Sequence, residues 1–229
     1  MKKLTKFAFL FASLALPAVC VANPGVPGAY SSGFIGVSAP ASIDTPSTNF
    51  DSNASFSDRV KLDPGINIGG TGGYDFGLLR LEGELSYKYS TIKSITDQTT
   101  NTPFKNPKGN LGVLAFMFNG FVDLHNESRI TPYVGGGVGF ATLNLSDTYG
   151  SESTGSTAKR VRLYGARNDT VFAYQAGAGL DIALNRRLSL DIGYRYFNCS
   201  SADFTADQVI YTSMKFVSHT TAIGLRIKY

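Results

Sequence analysis

The chain has 229 residues, of which 43% are hydrophobic, 12% aromatic and only 17% charged, with 25 Gly, 16 Phe, 12 Tyr, no Trp and two Cys. That length suits one domain or two, the aromatic content excludes a disordered chain, and two cysteines cannot staple a disulfide scaffold of this size. The net charge of +4 rests largely on Lys2, Lys3 and Lys6. The rest of the chain is about +1, which gives no reason to invoke nucleic acid as a partner.

The N-terminus reads as an address. Met1–Lys6 is basic, Phe7–Pro17 (FAFLFASLALP) is apolar, and Cys20 and Ala22 supply small residues at −3 and −1 of a cleavage site. A signal peptide over residues 1–22 is therefore expected, with the mature chain beginning at Asn23 after cleavage behind Ala22. An anchoring helix is the rival reading, but the apolar stretch Phe7–Ala22 is interrupted by Pro17 and falls short of the ~20 residues a membrane helix needs. A lipoprotein is disfavoured because Val19, next to Cys20, is not the small residue such processing requires. Cleavage would leave Cys199 as a lone thiol.

Eight strand-like segments follow. Tyr30–Ala39 mixes Gly and apolar residues on both parities, and Gly65–Phe76 is rich in glycine. Leu79–Tyr89 alternates cleanly, with Leu79, Leu81, Leu85, Tyr87 and Tyr89 opposed to Arg80, Glu82, Glu84 and Lys88. Asn110–Asp123 and Ile130–Leu145 are apolar on both parities and their faces stay unassigned. Val171–Ala183 sets Phe172, Tyr174, Leu180 and Ile182 against Gln175 and Asp181. Leu188–Phe197 sets Leu188, Leu190, Ile192, Tyr194 and Tyr196 against Asp191 and Arg195. Thr221–Tyr229 sets Ile223, Leu225, Ile227 and Tyr229 against Arg226 and Lys228. Period-2 alternation of this kind marks half-buried strands.

The links alternate in length. Asp75–Gly77, Leu124–Arg129 and Leu184–Arg187 are short, whereas Pro40–Pro64, Ser90–Gly109, Ser146–Thr170 and Asn198–Lys215 are long and polar. The pattern predicts an all-β, eight-stranded, antiparallel up-and-down barrel over residues 23–229. The ionised face decides its solvent. Arg80, Glu82, Glu84, Lys88, Asp181, Asp191, Arg195, Arg226 and Lys228 belong inside as a lumen charge network, with Leu, Ile, Phe and Tyr outside. A soluble lipocalin-like binder would expose Leu81 and Leu225 and bury the charges, so a transmembrane barrel is the stronger reading. Within the lumen, Asp191 should pair with Arg195 or Arg226, and Glu82 or Glu84 with Arg80 or Lys88. Tyr74, Phe76, Tyr87, Tyr89, Phe172, Tyr174, Tyr194 and Tyr196 suit interfacial girdles.

The last strand carries Ile223, Leu225, Ile227 and Tyr229 at every second position, which looks like the C-terminal insertion signal read by the outer-membrane barrel insertion machinery. No further domain is expected after it. With GGYDFGLLRLEGELSYKYS (Gly72–Ser90), TPYVGGGVGFA (Thr131–Ala141), FAYQAGAGLDIAL (Phe172–Leu184) and LSLDIGYRYF (Leu188–Phe197), the mature chain resembles the opacity-protein and surface-antigen group of small OmpA-like barrels. That resemblance implies an eight-stranded barrel in a Gram-negative outer membrane, surrounded by lipid and lipopolysaccharide. Its surface loops would serve adhesion, antigenic exposure or envelope structure.

Chemistry is sparse. His125 lies in a short link and His219 faces outward with Ser218 and Thr220 beside it, without an orienting acid, which makes a poor triad. No cofactor or metal ligand set is visible, since two separated His and one Cys form no cluster. Gly135–Gly139 lacks the Lys-Ser/Thr and the helix of a phosphate loop; glycines in a small barrel instead let strands bend and neighbours approach. A small porin-like channel is the competing function, although eight strands enclose a space that side chains nearly fill. Lys159, Arg160, Arg162 and Arg167 in the long link Ser146–Thr170 could meet lipopolysaccharide phosphates or an anionic host polysaccharide; a plain solvated loop is the alternative.

Overall fold

A computed structural model of the chain describes residues 27–49, 54–124, 128–154, 157–164, 166–206 and 210–229. The expected signal segment, with Ala22 and Asn23, and His125 lie outside these. The strands in chain order are β1 (Gly28–Pro40), β2 (Ile43–Asn49), β3 (Ala54–Leu62), β4 (Gly65–Asp75), β5 (Leu79–Asp97), β6 (Thr102–Pro103), β7 (Lys105–Lys108) and β8 (Asn110–Asp123). They continue as β9 (Ile130–Leu145), β10 (Thr148–Thr154), β11 (Thr157–Tyr164), β12 (Arg167–Ala183), β13 (Leu188–Cys199), β14 (Ala202–Ala206), β15 (Ile210–Met214) and β16 (Val217–Lys228).

Eight of them close on themselves. β1, β4, β5, β8, β9, β12, β13 and β16 pair antiparallel in that order, and β16 pairs back onto β1. Every backbone group in the ring can thus find a partner in the neighbouring strand, the condition for crossing a medium without water. Three short links join strands of this ring at one end. In the first, Gly77 has a φ of 99° and its N–H donates to Asp75 Oδ1 at 2.8 Å. Only glycine adopts that backbone freely, so Asp75-Phe76-Gly77 turns where the sequence indicates.

Alternation along each strand divides the residues between two environments. Outside stand Leu81, Leu85, Leu114, Phe116, Phe118, Val138, Phe140, Ile192, Ile223 and Leu225, all large and exposed, Phe118 at 63%. An apolar belt this continuous is untenable in water and suits lipid. The girdle aromatics Tyr74, Phe76, Tyr87, Tyr89, Phe172, Tyr174 and Tyr194 are exposed on the same face.

Two expectations need correction. The long links are not loops. They hold β2 and β3, the upper part of β5 with β6, then β7, β10 and β11, and the hairpin β14–β15. β12 likewise begins at Arg167 instead of Val171, paired with Leu145 of β9. β15 pairs with β2, β2 with β3, and β3 with the upper part of β5, while β7, β10 and β11 make a separate three-stranded sheet. Together these strands crown the end of the ring opposite the tight turns. Their polar composition hides the strand period because hydroxyls fill the inward positions: in β2 the buried residues are Ile43, Thr45 and Ser47. Thr45 donates to the Asp58 carbonyl at 2.9 Å and Ser47 shares a 2.9 Å hydrogen bond with Thr212.

The lumen, in turn, is polar only toward the tight turns. Toward the crown it is filled by Leu111, Val113, Ala115, Met117, Ala141, Leu143, Phe197, Cys199, Met214 and Phe216, continuous with Ile43, Val60 and Ile95 of the crown. This is why Asn110–Asp123 and Ile130–Leu145 carry apolar residues on both parities.

The belt predicts a depth-dependent cost. Leu85→Arg, midway along the outer face of β5, should destabilise the lipid-reconstituted barrel by about 2–4 kcal/mol, against about 0–1 kcal/mol for Thr142→Arg above the belt. Urea unfolding in bilayers checks this, and equal costs at the two positions would contradict a lipid-facing belt.

Candidate functional site

The lumen network is built upward from the tight turns, in the order that β5 sets out its inward residues. At the base, Lys228 pairs with Asp75 at 2.6 Å. Arg226 bridges two aspartates that face each other across β12 and β13, contacting Asp181 and, at 3.1 Å, Asp191. Arg80 lies 3.2 Å from Asp123 and 4.0 Å from Glu82. Above them Arg195 reaches Glu84 at 3.7 Å and Glu82 at 3.9 Å.

The two glutamates are held by amides as well as by cations. Asn119 Nδ2 donates to both, at 3.2 Å to Glu82 and 3.0 Å to Glu84, and Gln175 Nε2 donates to Glu84 at 2.9 Å and to Asn119 Oδ1 at 2.8 Å. Asn119 and Gln175 sit on β8 and β12, either side of Gly137 on β9. They can meet because Gly137 has no side chain: a Cβ there would collide with Asn119 Oδ1 and the Phe118 carbonyl. That is the role of the glycine run in β9. Tyr30 donates to Glu82 at 2.5 Å and Tyr133 to Asp191 at 3.0 Å.

Aromatic faces complete the packing around the cations. The Arg80 guanidinium lies 4.7 Å from the Tyr133 ring centre and 4.9 Å from that of Phe121. Arg195 covers Phe34 at 4.9 Å, Arg226 covers Tyr30 at 5.0 Å, and Lys88 Nζ is 4.2 Å from Phe197. Cation–π contacts strengthen when desolvated, and here they take space that water would otherwise fill. The residual cavity among Arg80, Glu82, Tyr133, Asp191, Arg195 and Arg226 is about 10 Å³, scarcely room for one water.

All nine charged residues assigned to the lumen from sequence therefore point inward. The pairing differs in part. Asp191 takes Arg226 and Glu82 has Arg80 at 4.0 Å, each one of the expected options, but Arg195 is a further cation for both glutamates, and Lys88 has no carboxylate within ion-pair distance among the described residues. Its Nζ donates instead to Ser86 at 3.3 Å. Sequence reading placed Gln175 on the inward face beside Asp181 but missed Asp75, Asp123, Asn119, Tyr30, Phe34, Phe121 and Tyr133. Each occupies an inward position on its strand, but parity marks such positions only where the two faces differ in chemistry, and in β1, β8 and β9 they do not.

Elsewhere, Ile223, Leu225 and Ile227 face outward along β16, with Tyr229 beyond its end sharing a 2.8 Å hydrogen bond with Ser31. His219 is exposed on the outer face, its Nδ1 2.6 Å from Tyr194 Oη and its ring beside Tyr196. Ser218 and Thr220 are buried on the other face. Lys159, Arg160 and Arg162 lie on β11 and Arg167 on β12, not in an irregular loop. In the crown, Arg59 Nε donates to Asp44 at 2.8 Å, Gln98 donates to the same oxygen at 2.6 Å, and Lys93 pairs with Asp63 at 3.3 Å. Arg59 holds the Asp44 carboxyl below the usual carboxylate range. The N–H groups of Thr100 and Thr99 do the same for Asp97.

A family model described as an outer membrane protein beta-barrel domain matches residues 11–226. The chain belongs to this family. It is similar to the outer membrane protein PagN of Salmonella typhimurium, at 30% identity over 105 residues, covering 44% of this chain and 40% of PagN. The matched stretch thus spans well under half of that relative's length. Among solved structures, OprG from Pseudomonas aeruginosa superposes with a TM-score of 0.61 at 12% identity, covering 91% of this chain and 98% of that one. Neisserial surface protein A gives 0.47 at 16% identity, covering 89% and 99%. The protein is an integral β-barrel of a Gram-negative outer membrane. Short turns in such barrels face the periplasm and the longer connections face outward, which places the crown on the cell surface.

Two measurements test these electrostatics. Arg226→Met leaves Asp181 and Asp191 without their cation and should cost about 3–5 kcal/mol, largely recovered when both aspartates become Asn, whereas Lys88→Met should cost at most about 1 kcal/mol. Urea midpoints in lipid decide, and equal losses for Arg226→Met and Lys88→Met would refute the pairing. In the crown, both lowered carboxyls stabilise the fold above the ordinary carboxylate pKa, and that contribution disappears as pH falls through their lowered values. NMR titration should therefore give Asp44 and Asp97 midpoints below ~3.9; midpoints at or above it count against these contacts.

Proposed function

We propose that this protein is a non-catalytic surface protein whose crown touches host-surface or matrix molecules, as an adhesin and surface antigen. Its barrel serves as anchor and as a structural element of the envelope. The observation that carries this reading is the contrast between the two ends. The lumen, among the described residues, is filled by ion pairs and aromatic rings and then by an apolar plug, which favours an anchor over a channel. The outward connections, by contrast, are built into strands that extend past the lipid belt.

A filled lumen speaks against the small-channel alternative. Among the described residues His219 has two tyrosines beside it and no acid, which speaks against hydrolysis. Outer-membrane lipid and lipopolysaccharide are the immediate neighbours of the belt, and the row Ile223, Leu225, Ile227 and Tyr229 is read as the segment that the barrel insertion machinery recognises. A signal peptide ending at Ala22 would deliver the chain to that machinery.

Displaying the full chain in a non-adherent bacterial host tests the assignment. Binding to cultured epithelial cells should fall several-fold when residues 148–164 are replaced by a short turn. The faster migration of the unboiled barrel in gel electrophoresis should persist, with an intact mass beginning at Asn23. Undiminished binding would overturn the adhesin role. In planar bilayers the purified protein should give no steps above membrane leak, and regular conductance steps would favour the channel instead.

A further inference from the structure

The periplasmic end of the ring sorts its exposed side chains by position around the barrel. On one arc the ladder of β9 with β12 continues a step to Arg129, whose carbonyl accepts from the Ala183 N–H at 2.8 Å. That of β13 with β16 continues to Arg187, whose carbonyl accepts from the Lys228 N–H at 2.8 Å. Arg186 stands beside Arg187 in the link between β12 and β13. There Asn185 Oδ1 accepts from the N–H groups of Arg187 and Leu188, both at 2.9 Å, and fixes the turn. Arg129 and Arg187 are thus two strand spacings apart, ~10 Å, along one arc of the rim.

All three arginines are exposed, and none makes an ion pair among the described residues. The described acids at this end are already engaged with lumen cations: Asp75 with Lys228, Asp123 with Arg80, and Asp181 and Asp191 with Arg226. Glu127, two residues before Arg129, lies outside the described residues. The arc formed by β4, β5 and β8 is different. Its links present Phe76 at 55% exposure, Leu78 at 65%, and Leu124. The Phe76 ring leans on Tyr74, with centres 4.7 Å apart, and leaves its other side uncovered.

Depth bears on what meets this rim. Ile130 and Leu184 are exposed on the outer face at the end of the belt. Arg129 is one residue from Ile130 and Arg186 two from Leu184, which is at most ~7 Å of extended chain. The headgroup layer of a bilayer is about 5–8 Å thick on each side, so the guanidinium groups stand at phosphate level. Arginine suits phosphate because its planar fork can donate two parallel hydrogen bonds. A polyanion farther into the periplasm would leave Phe76 and Leu78 in water, whereas a lipid surface covers them.

We propose that this rim docks on the inner leaflet of the outer membrane, with Arg129, Arg186 and Arg187 holding the phosphates of anionic phospholipids. Phe76 and Leu78 enter the leaflet on the opposite arc. The site lies at the end away from the crown and is independent of any ligand bound there.

The test reconstitutes full-length protein in phosphatidylcholine bilayers containing a trace of spin-labelled phosphatidylglycerol or spin-labelled phosphatidylcholine. The motionally restricted fraction of each label reports the selectivity of the lipid shell. Wild type should prefer phosphatidylglycerol about fivefold, and the preference should shrink as salt rises. R129Q/R186Q/R187Q should abolish it, whereas the charge-matched crown variant R59Q/K61Q/K93Q should keep it; the faster migration of the unboiled barrel shows that both variants fold. No preference in wild type, or a loss in the crown variant equal to or larger than that in the rim variant, would overturn the proposal. Cosedimentation with purified peptidoglycan that is lost in R129Q/R186Q/R187Q, with no lipid preference in wild type, would assign the arginines to the cell-wall polymer instead. The chain has no Trp, so Phe76→Trp introduces a single reporter. Its fluorescence should be quenched by phosphatidylcholine brominated along the acyl chains, and quenching by aqueous iodide alone would refute entry of this turn into the leaflet.

Discussion

The structure depends on the pairing of β5 with β8, which runs from Leu79 opposite Val122 to Thr91 opposite Asn110 and completes the ring. Lipid offers no hydrogen bonds, and each backbone group left unpaired in it costs several kcal/mol. An open eight-stranded sheet would leave two such edges in the membrane. Once the ring is closed, the belt of Leu, Phe, Ile and Val can face lipid at no polar cost, and the position of every inward residue is set by parity alone.

Closure creates a second demand, because a ring of eight strands has an interior that must be filled. The protein fills it in two ways. Near the tight turns it uses charges, each cation set against carboxylates or an aromatic face. Near the crown it uses an ordinary apolar core. Lys88 stands at the boundary, with its ammonium over Phe197 and its nearest polar partner Ser86. The charged tier gains little net stability from its ion pairs, since desolvation offsets much of their attraction. What it does supply is specificity of register: a one-residue slip between β12 and β13 would carry Asp181 or Asp191 away from Arg226 and into lipid.

How much of this could be read from sequence depended on how sharply the two faces of a strand differ in chemistry. Leu79–Tyr89 and Leu188–Phe197 were legible because ionised residues alternate with Leu, Ile and Tyr. Asn110–Asp123 was not, because Leu111, Val113 and Met117 enter the apolar upper lumen while Leu114, Phe116 and Phe118 face lipid, so hydrophobicity does not alternate. β2 hid for the opposite reason: Thr45 and Ser47 are buried but polar, and their period resembles a loop. The nine lumen charges were legible individually, but their partners depend on which strands adjoin. Arg195 meets Glu82 and Glu84 across the lumen, and no spacing along the chain encodes that. Gly137 is the plainest case, because its role is the space it leaves between Asn119 and Gln175.

The crown follows from the same physics as the ring. A connection of some twenty residues left as free loop would lose much conformational entropy on gripping a ligand. Here the outward connections are already paired as strands, β2 with β3 and β15, and β10 with β7 and β11, so that cost falls on folding and not on binding. Pairing also constrains which side chains can cooperate. Lys105 and Lys108 share register rows with Arg160 and Arg162 because β10 lies between their strands with a register shift that aligns both lysines. A surface that varies in sequence while keeping this ladder would keep its cations in rows. A change that removed the register shift would disperse them without altering the charge of the protein at all.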